Sequence, residues 1–341
     1  MKKVNWGIIG LGKVAEKFSE AFKYSKYGKL TGISSLKKEN IIKFKEKFRL
    51  NKDKCFNNYE DLLKCNDIDI VYLALPNSLH YKWIERCFYL KKKVLVEKPA
   101  TLNFSEIKNI KDNYSNNEIF FSEGFMYRFH PQMLKVIELL KENKIGRLIS
   151  MESYFGEDIL NKKNFFILNK RKKINDQNRL YNKDLGGGVI LDLGCYTISL
   201  STLIASFLSK FDYNNVKVLN KKKEIAITGV DIDSYAELNF ENGFRSKIGA
   251  SFIKNLGKKT KIMGSDGNIV IENTWQANPS IIYLEGKNSE KIEIKSNKNI
   301  FSYEIDFLSQ CILKNQLKPE FPGITLDDTV GNMKILDNWL N

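Results

Sequence analysis

The sequence predicts an α/β chain in two parts. Residues 1–123 read as an N-terminal doubly wound parallel sheet, and residues 124–341 as a C-terminal α+β part built on a large, mainly antiparallel open sheet. Three observations carry this. Apolar strands alternate with amphipathic helices as far as Gly124, a pattern of strands buried on both faces. From 214 to 295 the pattern becomes alternating strands separated by hairpin turns. The length, 341 residues, is enough for two cores.

Each element follows from its residues. VNWGII (4–9) is a short apolar strand, and GLGKVA leads from it into a helix whose Val14, Phe18, Ala21 and Phe22 recur at helical spacing. LTGISS ends a second strand near Ser35, and a Lys-rich helix covers about 38–48. DIDIVYLAL (67–75) is unbroken and apolar; the helix after Pro76 carries Leu79, Trp83, Cys87 and Leu90 on one side. KVLVE (93–97) is a further buried strand. A helix begins near Asn103, with Glu106 placed as in a capping box, and leads to the strand EIFFSEG. Beyond it come a helix over 131–143, the strand RLISMESYFG, a Lys/Asn-rich loop over 157–184, and the apolar helix opened by GGGVILDLGCYTIS. Asn242–Gly243 and Asp266–Gly267 mark hairpins in the second sheet. Helices over 301–315 and 325–340 close the chain, the last free to pack back on the N-terminal part.

Composition narrows the function classes. Charged residues make up 28% and hydrophobic residues 43%, as in a soluble globular protein. The longest apolar run, near 68–76, is too short to cross a bilayer, and the apolar segment of MKKVNWGIIG is too short for a signal peptide. Five cysteines without a CxxC pair suit a reducing cytosol, and two histidines argue against a multi-histidine metal site, so no metal and a cytoplasmic setting are expected. The net charge of +15 comes mostly from scattered lysines, with only seven arginines and no nucleic-acid-binding motif. It reads as solvated faces that favour an anionic cofactor or substrate, with neither nucleic acid nor membrane as partner.

Gly10-Leu11-Gly12-Lys13-Val14-Ala15 is a GxGxxA between a strand and a helix. The first glycine permits the tight turn, the second a close approach to a pyrophosphate, and the small third residue a close helix–strand contact; this is the Rossmann fingerprint for a dinucleotide. An NAD-selective site places an acid at the end of the second strand. This chain has Ser34-Ser35-Leu36-Lys37-Lys38 there, so Ser35 and Lys37 are expected to hold a 2′-phosphate, with NADP preferred over NAD. Strand 93–97 runs into Glu97-Lys98-Pro99, and the carboxyl ends of parallel strands face the cofactor. Lys98 there is either a solvated strand terminus or an active-site cation.

Taken in order, GIIGLGKVA (7–15), VYLALPNSLHY (71–81), VLVEKPATL (94–102), EGFMYRFHPQ (123–132) and LGGGVILDLGCY (185–196) resemble the glucose–fructose oxidoreductase/inositol dehydrogenase (Gfo/Idh/MocA) family. FMYRFHPQ and GGG…DLGCY are most similar to the branch with dimeric dihydrodiol dehydrogenase and NADP-dependent D-xylose dehydrogenase. The resemblance implies a hydride-transferring enzyme acting on a sugar or related diol, and dimers (or tetramers) built through the second sheet. It places Leu75, Pro76, Asn77 and His80 near the nicotinamide ribose, and Glu97 and Lys98 beside the ring. Tyr127, Arg128 and Phe155 would line the substrate pocket, with Arg179 at its cofactor side.

Oxidising a hydroxyl also requires a proton acceptor. Many members of that family carry an acid and, four residues on, a histidine; here those positions hold Asp192 and Tyr196. A phenol ordinarily titrates near pH 10, and a neighbouring ammonium lowers that value. Tyr196 is therefore expected to be the general acid/base, tuned by Lys98, with Asp192 orienting the substrate or the lysine. The glycines before them are expected to let the helix start close against the cofactor. Two other functions fit the same residues: redox-assisted glycoside cleavage with tightly bound NAD, which gives product without net change in NADPH absorbance, and a non-catalytic NAD(P)-binding regulator.

Overall fold

The computed structural model describes residues 2–114, 119–161, 173–287, 289–296 and 299–341. It contains two compact units. The first comprises residues 1–101, 105–130 and 297–330, and the second 102–104, 131–296 and 331–341. The boundary thus falls at 130 rather than 123, and a C-terminal segment returns to the first unit.

The first unit holds β1 (Val4–Ile9), α1 (Lys13–Ala21), β2 (Gly28–Ser34), α2 (Lys38–Phe48), β3 (Cys55–Phe56), α3 (Tyr59–Lys64), β4 (Ile70–Leu73), α4 (His80–Tyr89), β5 (Lys93–Glu97), α5 (Phe104–Tyr114, entered from the second unit) and β6 (Phe121–Gly124). The six strands form one parallel sheet in the order β3-β2-β1-β4-β5-β6. Its order reverses beside β1, and at such a switch point the strand ends leave a crevice for a ligand. Trp6, Ile8, Phe18, Tyr72 and Leu95 form its core, with Phe18 stacked on Tyr72 at 3.9 Å between ring centroids.

The second unit contains α6 (Pro131–Lys141), β7 (Leu148–Gly156), α7 (Cys195–Ala205), β8 (Lys217–Ile225), β9 (Asp231–Asn239), β10 (Arg245–Ser251), β11 (Thr260–Gly264), β12 (Gly267–Ile271), β13 (Ile281–Gly286) and β14 (Glu290–Glu293). These strands build one eight-stranded sheet, order β14-β13-β12-β11-β7-β10-β9-β8, antiparallel except where β7 and β10 run parallel. One face carries α7, every residue of which is buried, and a hydrogen bond joins Ser201 to Ser246 of β10 at 2.8 Å. The opposite face presents half-buried Tyr154 and Tyr235 and the ion pairs Lys247–Glu152 and Lys261–Glu285.

The apolar run near 68–76 contains the strand β4. The helical stretch Lys183–Ala205 has the length and mean hydropathy (1.6) of a membrane span, but 89% of that window is buried within the protein, which makes it a core helix. Of the predicted loop over 157–184, residues 162–172 lie outside the described residues. The last two helices are α8 (Ile300–Leu313) and α9 (Leu326–Leu340). It is α8, not the final helix, that lies wholly in the first unit, where Phe301, Ile305 and Leu308 join the core.

Candidate active site

The first unit supplies a dinucleotide cradle. Gly10 has φ +90°, and a Cβ there would lie 2.4 Å from the Ala74 carbonyl oxygen, so only glycine lets β1 turn this close to the end of β4. At Gly12 a Cβ would meet no atom within 4 Å, and no side chain caps the first turn of α1 at Lys13 and Val14. An open glycine in front of uncapped helical N–H groups fits a pyrophosphate. Ser35 is buried at the end of β2 and its hydroxyl accepts the Lys37 N–H at 3.1 Å, while the side chains of Leu36, Lys37 and Lys38 are exposed with no acid among them.

The loops after β4 and β5 are tied to each other. His80, expected at the nicotinamide ribose, is fully buried, with Nδ1 2.9 Å from the Pro99 oxygen and Nε2 3.0 Å from the Leu75 oxygen. Both ring nitrogens serve these two loops, so the ring itself is a structural tie between the segments expected at the nicotinamide ribose. Pro76 is exposed and Asn77 buried in the short turn that leads to α4. Glu97 accepts the Tyr72 hydroxyl, and Lys98 is half-buried ahead of a cis bond to Pro99. Behind that loop lies Glu123, whose Oε1 accepts the Ala100 N–H and whose Oε2 accepts the Thr329 hydroxyl, both at 2.9 Å. Burial pushes its carboxyl up to about 7, against the opposing pull of those two hydrogen bonds. Tyr127 is fully buried and Arg128 nearly so, in the turn after β6.

The second unit holds the remaining residues singled out in the sequence. The GGG segment packs against its own chain: a Cβ on Gly187 would fall 2.7 Å from the Asn182 oxygen, and one on Gly188 2.5 Å from Asp231 Oδ1. What makes these two positions need glycine is therefore the 179–182 turn and Asp231, a different reason from the approach to a cofactor expected of them. Ile190–Gly194 form one wide π-helical turn ahead of α7. Asp192 sits in that turn, partly exposed, with Arg179 Nη2 3.7 Å from its Oδ1. Tyr196 follows in the first turn of α7, 6% exposed, and is walled by Phe155 and Trp275 at ring-centroid distances of 5.4 and 5.7 Å. Trp275 stacks on Phe155 and donates its indole N–H to the Tyr154 oxygen at 3.0 Å. Neither Trp275 nor Asp231 lies in any sequence motif, and spacing offers no signal for them. Glu123 lies in EGFMYRFHPQ, but nothing there tells that it is buried. Among the described residues no cluster of His, Cys, Asp and Glu is arranged for a metal ion.

These arrangements agree with comparisons to known proteins. Residues 4–125 match the family model described as "Oxidoreductase family, NAD-binding Rossmann fold", and residues 133–270 match the GFO/IDH/MocA C-terminal domain. A trans-1,2-dihydrobenzene-1,2-diol dehydrogenase of Xenopus tropicalis is 26% identical, over 98% of this chain and 96% of its own. The D-xylose 1-dehydrogenase (NADP(+)) 2 of Haloferax volcanii is 27% identical over 66% of this chain and 63% of its own. The fold is that of the aldose-aldose oxidoreductase from Caulobacter crescentus, with TM-score 0.82, 21% identity, and coverage of 99% of this chain and 97% of that one. Through both of its domains this chain belongs to the Gfo/Idh/MocA family of oxidoreductases, with the NAD-binding Rossmann domain as its N-terminal part.

Proposed function

We propose that this chain is an NADP(H)-preferring dehydrogenase or reductase of a CH–OH group on a sugar, sugar derivative or related diol. The observation that carries the reading is on the buried helix: amid apolar residues it presents Asp192 and, four residues on, Tyr196 against Phe155 and Trp275. The aromatic rings beside this phenol suit the C–H faces of a sugar. The relatives named above act on a diol and on an aldose, which supports the substrate class.

When bound, the nicotinamide supplies or accepts the hydride. Gly10, Gly12 and the first turn of α1 would hold the pyrophosphate, and Ser35 and Lys37 the 2′-phosphate. In the oxidative direction the phenolate oxygen of Tyr196 would take the proton from the substrate hydroxyl as hydride leaves the carbon that bears it; in reduction it would return that proton to the new alkoxide. In this reading Lys98 is assigned the tuning of the phenol and Asp192 the orientation of the reacting group. The reading includes a cytoplasmic homodimer formed through the open face of the eight-stranded sheet, which light scattering of the purified protein tests.

The test of the activity is absorbance at 340 nm across aldoses, diols and nucleotide sugars, with NADPH/NADP⁺ and NADH/NAD⁺ in parallel. Net cofactor turnover with one class of substrate is expected, and Tyr196→Phe should lower kcat at least about a hundredfold. Product without net absorbance change would favour redox-assisted glycoside cleavage. Cofactor binding without turnover on any member of the panel, or a Tyr196→Phe variant as active as wild type, would count against the mechanism.

A further inference from the structure

The wide helical turn that carries Asp192 has no cap of its own. A helix leaves its first N–H groups without partners, and the usual remedy is a Ser, Thr, Asp or Asn just before it. Here the residues before Ile190 are Gly188 and Val189, neither of which carries a side-chain acceptor. The acceptor comes from the sheet. Asp231, at the start of β9 and 5% exposed, takes the Ile190 N–H on Oδ2 at 2.7 Å. Its Oδ1 fills the space where a side chain on residue 188 would be, and Gly188 adopts φ +116° there. The groups that face this carboxylate are the Val189 and Ile190 N–H groups from the helix start, its own backbone N–H, and Lys223 from β8.

The consequence reaches the site within one turn. The Asp192 N–H bonds to the Gly188 oxygen at 3.1 Å, so the residue that Asp231 pins through Gly188 also sets the backbone of Asp192. A π-helical turn is a rare arrangement, holds only where its surroundings impose it, and recurs at functional sites. Gly194, which ends the turn, is pinned as well: a Cβ there would lie 2.7 Å from the Trp339 ring. We infer that Asp231 is the positioning residue of the site. By fixing the entry of the helix it sets the directions in which the Asp192 carboxylate and the Tyr196 phenol leave the backbone. The inference rests on the roles proposed above for Asp192 and Tyr196, while the contact itself belongs to the fold.

The variants Asp231→Ala, Asp231→Asn and Tyr196→Phe test it in the full-length protein. Four measurements are compared: melting temperature, amide hydrogen exchange of 188–194, the Kd for NADPH by its fluorescence, and kcat and KM with D-xylose and with trans-1,2-dihydrobenzene-1,2-diol as probes. Asp231→Ala is expected to speed exchange at 189–194 at least tenfold and to lower kcat at least tenfold. KM and the NADPH Kd should stay within about threefold, because the cradle lies on another element. Asp231→Asn keeps an oxygen for the Ile190 N–H and should restore kcat to within about threefold of wild type. A merely structural role would lower melting temperature and kcat together, with no split between kcat and KM and no rescue by asparagine. Unchanged exchange at 189–194 in Asp231→Ala overturns the inference whatever the activity. If Tyr196→Phe is inactive while Asp231→Ala turns over normally, positioning by Asp231 is overturned and the catalytic reading stands. A fully active Tyr196→Phe overturns that reading, and the inference with it.

Discussion

Glu123 and His130 are both buried, and burial moves them in opposite senses. The carboxyl rises from 4.5 to about 7, and the imidazole falls from 6.5 to about 4. Between pH 4.5 and 7 the folded chain keeps a proton on Glu123 that the unfolded chain has released, so this group's contribution to stability falls as pH rises. Between pH 4 and 6.5 the unfolded chain protonates His130 while the folded chain does not, so that contribution is present above 6.5 and lost as pH falls. Each displacement corresponds to roughly 3 kcal/mol, and the two largely cancel where their windows overlap. Glu123→Gln removes only the first. Relative to wild type, its stability in urea should therefore climb with pH across 4.5 to 7, by roughly 3 kcal/mol in all; parallel curves for the two proteins would show that Glu123 is not the titrating group. The sequence motif EGFMYRFHPQ drew attention to Tyr127 and Arg128 and not to this acid. Its environment is made by Ala100 and by Thr329, which lies 206 positions away, and no local pattern encodes such a partner.

Among the elements, those whose partners are near in sequence were legible. The predicted helix over 38–48 coincides with α2, and the helix over 131–143 with α6 to within two residues. The Asn242–Gly243 signal does mark a hairpin, but its loop spans Glu241–Gly243: Gly243 has φ +84° and the Phe240 N–H bonds to the Phe244 oxygen at 3.0 Å, the three-residue form with a glycine bulge. The helix of the candidate site was legible only in part. It is apolar on every side because it is buried on every side, so periodicity gives it no preferred face, and the shared face of Asp192 and Tyr196 had to come from their four-residue spacing. Its π-helical turn meets Asp231 at its start and Trp339 at its end, both far along the chain. Helix α8 shows the same kind of distant acid. Asp306 Oδ1 accepts the Ser25 hydroxyl at 2.6 Å and the Lys26 and Tyr27 N–H groups at 2.8 and 3.1 Å, fastening α8 to the turn before β2. Hydrogen bonds to a carboxylate are the strong kind, and Asp306→Ala leaves three donors to find new partners. Chemical denaturation should show a loss of about 2–3 kcal/mol, with Asp306→Asn losing about half as much. A variant within 0.5 kcal/mol of wild type would mean that water replaces the acid without cost.

At the scale of the whole molecule, the sequence reading and the structure differ most over what completes the dinucleotide-binding unit. The alternation of strands and helices ends near Gly124, so the sequence suggests a unit that closes there. The structure closes it with residues 297–330 instead. Phe301, Ile305, Leu308 and Cys311 of α8 are buried in one cluster with Trp6, Phe18 and Tyr72, and the Trp6 indole donates to Ser309 Oγ at 3.0 Å. No period or turn signal links positions some 300 residues apart, and both the helix and the strand look ordinary by themselves. Burial of an apolar side chain in such a cluster is worth about 1.5–3 kcal/mol, so removing four of them takes away as much as a small domain's whole margin of stability. Residues 1–130 alone are therefore expected to aggregate or to melt without a cooperative transition. The rings of His130 and Tyr303 lie 5.1 Å apart, so 1–130 joined to 299–330 by a flexible linker of about ten residues can span the junction. That fusion should melt cooperatively and bind NADPH, by its fluorescence, within about tenfold of the full chain's Kd, a difference of about 1.4 kcal/mol. Equal folding and equal affinity for residues 1–130 alone would show that the unit closes where its sequence pattern ends, with α8 packed on a core already stable without it.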